Sequence, residues 1–260
     1  MLISPLAVPA DAEITVFGEP VLGQPGIMIL SPRIASVFAR WSMIERQLDQ
    51  VHTLVTDADD DARAEFDRLK GWDRRQRAIT EVAARKLNAA TNDRVKAVLR
   101  LIESPASKRN ELAHCVWGVT KGYEGHLTLL PSDNQHAVAQ AAVAAKKAGT
   151  SRIPVQTQPV MQASRLVSAA DLDRLIHELQ QATDRLEGLI YGHLYADFLD
   201  VTGNGFADYR AKLDADPEIQ NRLRNMERER RRAMKAATST SSRLPLPDQS
   251  SVNNSIDRQP

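Results

Sequence analysis

Cysteine and aromatic residues are scarce in this chain of 260 residues. The single cysteine, Cys115, excludes an intrachain disulfide, and the sequence has no CxxC or Cys/His pattern of the kind that binds zinc. Aromatic residues make up 5% of the chain, so aliphatic side chains must fill the core that a hydrophobic fraction of 42% provides. We therefore expect an aliphatic core, no metal site and no cofactor.

The chain also lacks an excess of either charge. It has 34 Lys and Arg residues against 33 Asp and Glu residues, a formal net charge of +1. A uniformly basic nucleic-acid-binding protein would show many more cations, so any RNA binding must depend on a local patch. The densest charge run, from Glu227 to Arg232, is typical of a solvated helix face, with contact to RNA phosphates as the alternative.

Long apolar runs are missing as well. None approaches the ~20 residues that a membrane-spanning helix needs. The first ten residues are broken by Pro5 and Pro9, and they lack the basic flank and apolar stretch of a signal peptide. The sequence therefore predicts a cytoplasmic protein without a membrane partner.

Prolines and glycines are dense in residues 1–32, where we predict an irregular N-terminal segment. Two apolar pieces within it, Ile14–Phe17 and Ile27–Leu30, are expected to be small strands or extended packing segments. A long helix should follow, with Ser31 as its N-cap and Pro32 in its first position.

Apolar residues spaced by three and four predict helices over most of the chain after this point. The first carries its apolar stripe to about residue 54, and shorter helices follow over about 60–70, 74–87 and 91–102. Ser104 and Pro105 are expected to break the chain and restart it as another helix. A second long helix should begin after Ser168, with Asp171 completing a near capping box, and end near residue 199. These elements predict an all-α protein built as a helical bundle.

The pattern changes after Cys115. Residues 116–119 and 127–130 flank a glycine-containing loop, which predicts a small β-hairpin. A weak helix over 135–147 and a linker over 148–166 should follow. The main domain is thus expected over 33–200, with the hairpin and linker inserted at about 116–166. We predict a helical extension over 201–236, with one helix over 206–236. A disordered tail should follow over 237–260, which is rich in Ser, Thr, Asn and Pro.

The segment from Lys108 to His114 is the strongest candidate for a functional site. On a helix, Asn110 and His114 share a face, whereas Arg109 and His114 are about 140° apart. Arg109 and His114 therefore do not stack, but two such helices meeting in a dimer would place both pairs around one cleft.

The chemistry of these residue types suits RNA. Metal-independent cleavage needs a base for the 2′-hydroxyl proton and an acid for the leaving oxygen, and a histidine can serve as either. An arginine offers a planar fork of donors to the phosphate oxygens. Asn110 would then orient the imidazole or donate to a phosphate.

The order Arg109-Asn110-Glu111-Leu112-Ala113-His114 resembles the signature of the HEPN superfamily, an Arg followed by four to six residues and a His. The motif follows several helices and precedes a Trp and a short hairpin, as in many bacterial members. The resemblance covers about residues 33–200. It implies a HEPN-like helical bundle that forms a homodimer through the motif helix. The resemblance also implies that Arg109 contacts the phosphate, that His114 is the acid and base, and that Asn110 supports both.

Catalytic HEPN proteins are metal-independent endoribonucleases of toxin–antitoxin, phage-defence and RNA-processing systems. Members silenced by a partner nucleotidyltransferase carry a Tyr two residues after the His, where this chain has Val116. The resemblance therefore does not extend to that mode of control, and an antitoxin or regulator stays unknown.

The sequence also allows two other functions. The chain could be a non-catalytic module that binds RNA or nucleotides, or a structural protein in which Arg109 bridges to an acid and His114 bonds a carbonyl. A Cys115/His114 nucleophile is disfavoured, because adjacent helical residues point about 100° apart. Trp117 is expected to pack in the core.

Overall fold

Helices make up most of the structure, a computed structural model that describes residues 6–9, 12, 14–16, 25–131, 140, 143–144, 147, 149, 164–195 and 204–241. The predicted mainly helical class is confirmed. In chain order the elements are β1 Leu6–Ala7, β2 Ile14–Val16, α1 Pro25–Met28, α2 Ser31–Val55, α3 Asp60–Arg68, α4 Trp72–Lys86, α5 Ala89–His114, β3 Val116–Thr120, β4 Leu127–Leu130, β5 Arg165–Val167, α6 Ala169–Leu189, a π-helical turn at Ile190–Leu194, α7 Asn204–Ala215 and α8 Pro217–Ser241.

Three long helices form the centre of the bundle, with α6 packed against both α2 and α5. Each helix buries one apolar stripe, because its hydrophobic residues recur every three or four positions. The buried residues include Val37, Trp41, Ile44, Leu48 and Val51 of α2, Val95, Val98, Leu99, Ile102 and Leu112 of α5, and Leu172, Leu175, Leu179 and Leu186 of α6.

Helix α5 is one continuous helix, and the predicted break at Ser104 and Pro105 is wrong. Asn88 caps its N-terminus by accepting a hydrogen bond of 2.9 Å from the Thr91 N–H. Pro105 lies inside the helix, where it lacks the N–H that would complete the backbone ladder. Burial of Ile102 and Ala106 on either side holds the helix through this defect.

The two predicted N-caps have different outcomes. The capping box of α6 is confirmed: the Asp171 N–H donates to Ser168 Oγ over 3.2 Å, and the Ser168 N–H donates to Asp171 Oδ2 over 2.9 Å. Helix α2, however, begins at Ser31 itself, and Leu30 is its N-cap. The Ser31 hydroxyl donates to the Ile27 carbonyl of α1, 3.3 Å away, so the prediction of Ser31 as N-cap is wrong.

The predicted hairpin is confirmed as β3 and β4, with Trp117 opposite Leu129. The hairpin lies inside an antiparallel sheet whose described strands follow the order β1-β5-β4-β3-β2. β5 begins in the last two residues of the predicted linker, and β1 and β2 lie in the predicted irregular segment. β2 corresponds to the apolar piece Ile14–Phe17, for which a small strand was one of the two expectations. Strands of two or three residues are too short to show alternation, and they form here because the hairpin edges offer unpaired backbone groups. Ile27 and Met28 belong to helix α1 and to no strand.

The C-terminal extension is two helices where one was predicted over 206–236. Asp216 Oδ1 accepts the N–H groups of Glu218 at 2.8 Å and Ile219 at 3.2 Å, which caps α8 just after α7 ends. Helix α8 continues through residues 237–241, for which disorder was predicted. The rest of the predicted tail, most of the weak helix over 135–147 and the predicted end of the second long helix near 199 lie outside the described residues.

Candidate functional site

The candidate motif occupies the last two turns of α5, next to the sheet. Helix α5 ends at His114, and Cys115 turns the backbone to an extended conformation before β3 begins at Val116. The junction of helix and sheet therefore positions the motif. Leu112 is fully buried and anchors this end of the helix in the core.

Arg109 lies against two aromatic rings of α2. Its guanidinium carbon is 5.4 Å from the centroid of the Phe38 ring and 5.5 Å from that of Trp41. These distances are within the range of cation–π attraction, so the rings both orient the cation and shield it from water. Both residues belong to the apolar stripe that predicts α2, and that spacing gives no sign of a contact with an arginine.

The hydrogen bonding of Arg109 is incomplete within the described chain. Its Nη1 donates to Asn110 Oδ1 over 3.1 Å, while its Nε is buried and has no partner among the described residues. Burial lowers the pKa of Arg109, and the carboxylate of Glu45 opposes that shift. A guanidinium stays charged under these conditions, so the site holds a fixed cation with donors to spare.

His114 is exposed at the very end of α5. Among the described residues, no hydrogen bond or ion pair joins it to Arg109 or Asn110. Along an α-helix the five-residue spacing corresponds to about 140° of rotation and ~7.5 Å of rise. The structure thus brings Arg109 and Asn110 together and leaves His114 apart, so Asn110 orients the arginine rather than the imidazole.

The other charged residues of the segment form ion pairs that sequence analysis missed. Lys108 Nζ lies 2.6 Å from both carboxylate oxygens of Glu178 on α6, and the Lys108 side chain is only 5% exposed. Glu111 pairs with Arg165 of β5 at 3.0 Å. Because these partners come from α6 and β5, the two pairs fasten the motif helix to the rest of the molecule.

Cys115 and Trp117 have structural roles. Burial, aided by the Glu111 carboxylate, raises the pKa of the Cys115 thiol to about 11. Since the thiolate is the nucleophilic form, this environment works against a Cys115/His114 nucleophile. The indole Nε1 of Trp117 donates to the Leu112 carbonyl over 2.8 Å, and the ring packs on the core as predicted.

Comparison of the chain with protein-family models, with curated proteins and with solved structures finds no match. Within the described ranges, no three His, Cys, Asp or Glu side chains come together as a metal site. No helix in that part of the chain combines the length and the apolar character that crossing a bilayer requires.

Proposed function

We propose that this chain is a metal-independent endoribonuclease of the HEPN type, in which Arg109 and His114 act on the RNA phosphate. The observation that carries the proposal is that two charged residues of the motif are paired inside the protein and two are not. Lys108 and Glu111 are engaged in ion pairs with α6 and β5, whereas Arg109 is a ring-clamped cation with a donor unused in the described structure and His114 is exposed. This pattern fits a site with free capacity for a ligand better than a purely structural helix end.

The proposed reaction is transfer of the phosphate to the neighbouring ribose oxygen. A base removes the 2′-hydroxyl proton, the 2′-oxygen attacks phosphorus, and the 5′-oxygen leaves with a proton from an acid. The products are a 2′,3′-cyclic phosphate and a 5′-hydroxyl. His114 supplies the acid or base, and Arg109 stabilises the charge that develops on the phosphate oxygens.

The proposed site is completed by a second copy of the chain. Arg109 faces α2 and His114 is exposed on another side of the same helix, so one copy does not surround a phosphate with both groups. A symmetric dimer that pairs the ends of two α5 helices would bring two arginines and two histidines to one cleft.

Cleavage of a labelled single-stranded RNA tests the proposal. We expect His114→Ala and Arg109→Ala each to lower the cleavage rate by about 100-fold or more, as is common for loss of an acid–base group or a charge-stabilising donor. His177→Ala is the matched control, because His177 is another exposed helical histidine and lies on α6. EDTA should leave the rate unchanged.

The same assay separates the alternatives. Wild-type protein that binds RNA without cutting it would favour the non-catalytic module. Protein that neither binds nor cuts, or motif variants that cut like wild type, would leave only the structural role. Growth arrest on expression, relieved by His114→Ala, would support a toxin or phage-defence role.

A further inference from the structure

A second surface, on another side of α5, concentrates positive charge. Helices α4, α5 and α8 enclose a groove made of two adjoining cavities of about 570 and 190 Å³, and Arg100 and Glu229 line both. We call this surface the basic groove. Arg77, Lys96 and Arg230 line the larger cavity, and Arg222, Arg228 and Arg232 line the smaller one.

The groove differs sharply from the chain as a whole. Seven cationic and three acidic side chains line it, in a protein whose formal net charge is +1. Of the seven cations, Arg230 pairs with Asp93. The other six form no ion pair with any residue that the structure describes. The cations are therefore gathered here without matching internal partners.

The arrangement suits an extended polyanion better than a single small anion. Arg228 and Arg232 are four residues apart and so follow one another along a single face of α8. Arg100 joins this row from α5, at the point where the two cavities meet. A guanidinium can donate two parallel hydrogen bonds to the oxygens of one phosphate. A row of arginines therefore matches the successive phosphates of a nucleic-acid backbone.

Helix α8 does not have the character of a membrane-binding helix. Such a helix needs an exposed apolar face opposite its basic one. Here Ile219 and Met226 are buried, and α8 packs on α5, which leaves Met234 as the large apolar residue exposed on the described part of α8. The groove therefore favours a nucleic acid over a lipid surface.

We propose that the basic groove binds the phosphate backbone of single-stranded RNA and leads the strand toward His114. This inference rests on the proposed function for its choice of RNA. Lys96 and His114 are 18 residues apart, which is five full turns, so both lie on one line along the surface of α5. Arg100 lies about 40° around the helix from that line. The groove side of α5 thus continues to His114, about 21 Å beyond Arg100 along the helix axis. Exposed Glu103, Ser104 and Ser107 lie between them.

Binding of a fluorescent 2′-O-methyl oligouridine tests the groove separately from catalysis, because this probe has no free 2′-hydroxyl to react. We expect the double variant Arg100→Gln/Arg228→Gln to bind about tenfold more weakly near 0.1 M salt. The slope of log affinity against log salt should fall by about 1.4, which corresponds to two lost phosphate contacts. Arg46→Gln/Arg224→Gln makes the same charge change outside the groove and should bind like wild type.

The outcomes distinguish failure of the groove from failure of the enzyme. The groove proposal is overturned if the groove variant binds the probe as tightly as wild type, or if the control variant loses as much affinity as the groove variant. Either result would count against the groove even where cleavage is observed. If wild type prefers vesicles of phosphatidylserine and phosphatidylcholine to the probe, a lipid surface replaces RNA. Groove-dependent binding without any RNA cleavage would support the proposed RNA-binding groove and contradict the proposed nuclease activity.

Discussion

His52 is a buried histidine that the candidate site does not use. It is 4% exposed on α2, and its ring stacks on Phe66 with the centroids 4.1 Å apart. Burial lowers its pKa, while the nearby Asp67 carboxylate opposes the shift. The folded protein therefore keeps His52 neutral at a pH where the unfolded chain binds a proton.

This difference predicts that stability falls as the pH drops below about 6.5, the unfolded value for histidine, toward the lower folded pKa. The unfolded state holds more protons in that window, so acid favours unfolding. The urea midpoint measured from pH 7.5 to 5.5 should decline, and His52→Gln should flatten the decline.

His177→Gln, at an exposed position, is the matched control and should keep the wild-type slope. The window stays above the carboxyl range, where Asp49 acts in the opposite direction because burial raises its pKa. An unchanged slope in His52→Gln would contradict the assignment.

At the scale of elements, the π-helical turn after α6 explains how the C-terminal helices dock. The Tyr195 N–H donates to the Ile190 carbonyl five residues back, which widens the turn. Arg210 Nε of α7 donates to the Gly192 carbonyl over 2.6 Å. An added Cβ at Gly192 would lie 2.6 Å from the Arg210 backbone nitrogen, so α7 approaches closely only because this residue is glycine.

Gly192→Ala is therefore expected to destabilise the protein by about 1–3 kcal/mol, the usual range for overpacking. The clash is with backbone and not with a flexible side chain, so α7 itself must move. Gly125→Ala, where an added Cβ meets open space, should change stability little. Urea unfolding of both variants checks this, and a stable Gly192→Ala protein with α7 still protected from hydrogen exchange would contradict it.

At the scale of the whole molecule, Arg109 and His114 lie on different sides of α5, so the proposed activity depends on a dimer. The proposed nuclease needs Arg109 and His114 from two copies. The molar mass of the active species, measured by analytical ultracentrifugation, should therefore be about twice the 28.8 kDa of the chain. A mixture of Arg109→Ala and His114→Ala should recover cleavage at least about tenfold above either variant alone, since a mixed dimer retains one group of each kind.

Each variant mixed with itself, at the same total concentration, controls for protein amount. If the mixture stays as inactive as its components while both proteins are folded and dimeric, the shared-cleft arrangement is wrong. A monomer that cleaves RNA at full rate would contradict it as well.

Much of the fold was accessible from local sequence patterns. Helix periodicity, the capping box at Ser168 and the hairpin after Cys115 depend on residues a few positions apart, so the sequence alone predicts them correctly. The predicted break at Pro105 failed because burial of the neighbouring turns outweighs one missing hydrogen bond. Strands β1 and β5 were missed because their pairing partners are distant in the chain. The apolar piece Ile14–Phe17 was predicted as a strand or an extended segment, and Ile14–Val16 forms β2.

The candidate site divides in the same way. The sequence by itself led to the proposal that Arg109, Asn110 and His114 carry the chemistry, and helix spacing determined that Arg109 and His114 point to different sides of one helix. Only the tertiary structure decided that Lys108 and Glu111 are fastened to Glu178 and Arg165, while Phe38 and Trp41 clamp the arginine. These partners lie more than fifty residues from the motif, so packing of the bundle, and not local pattern, selects which charges are paired.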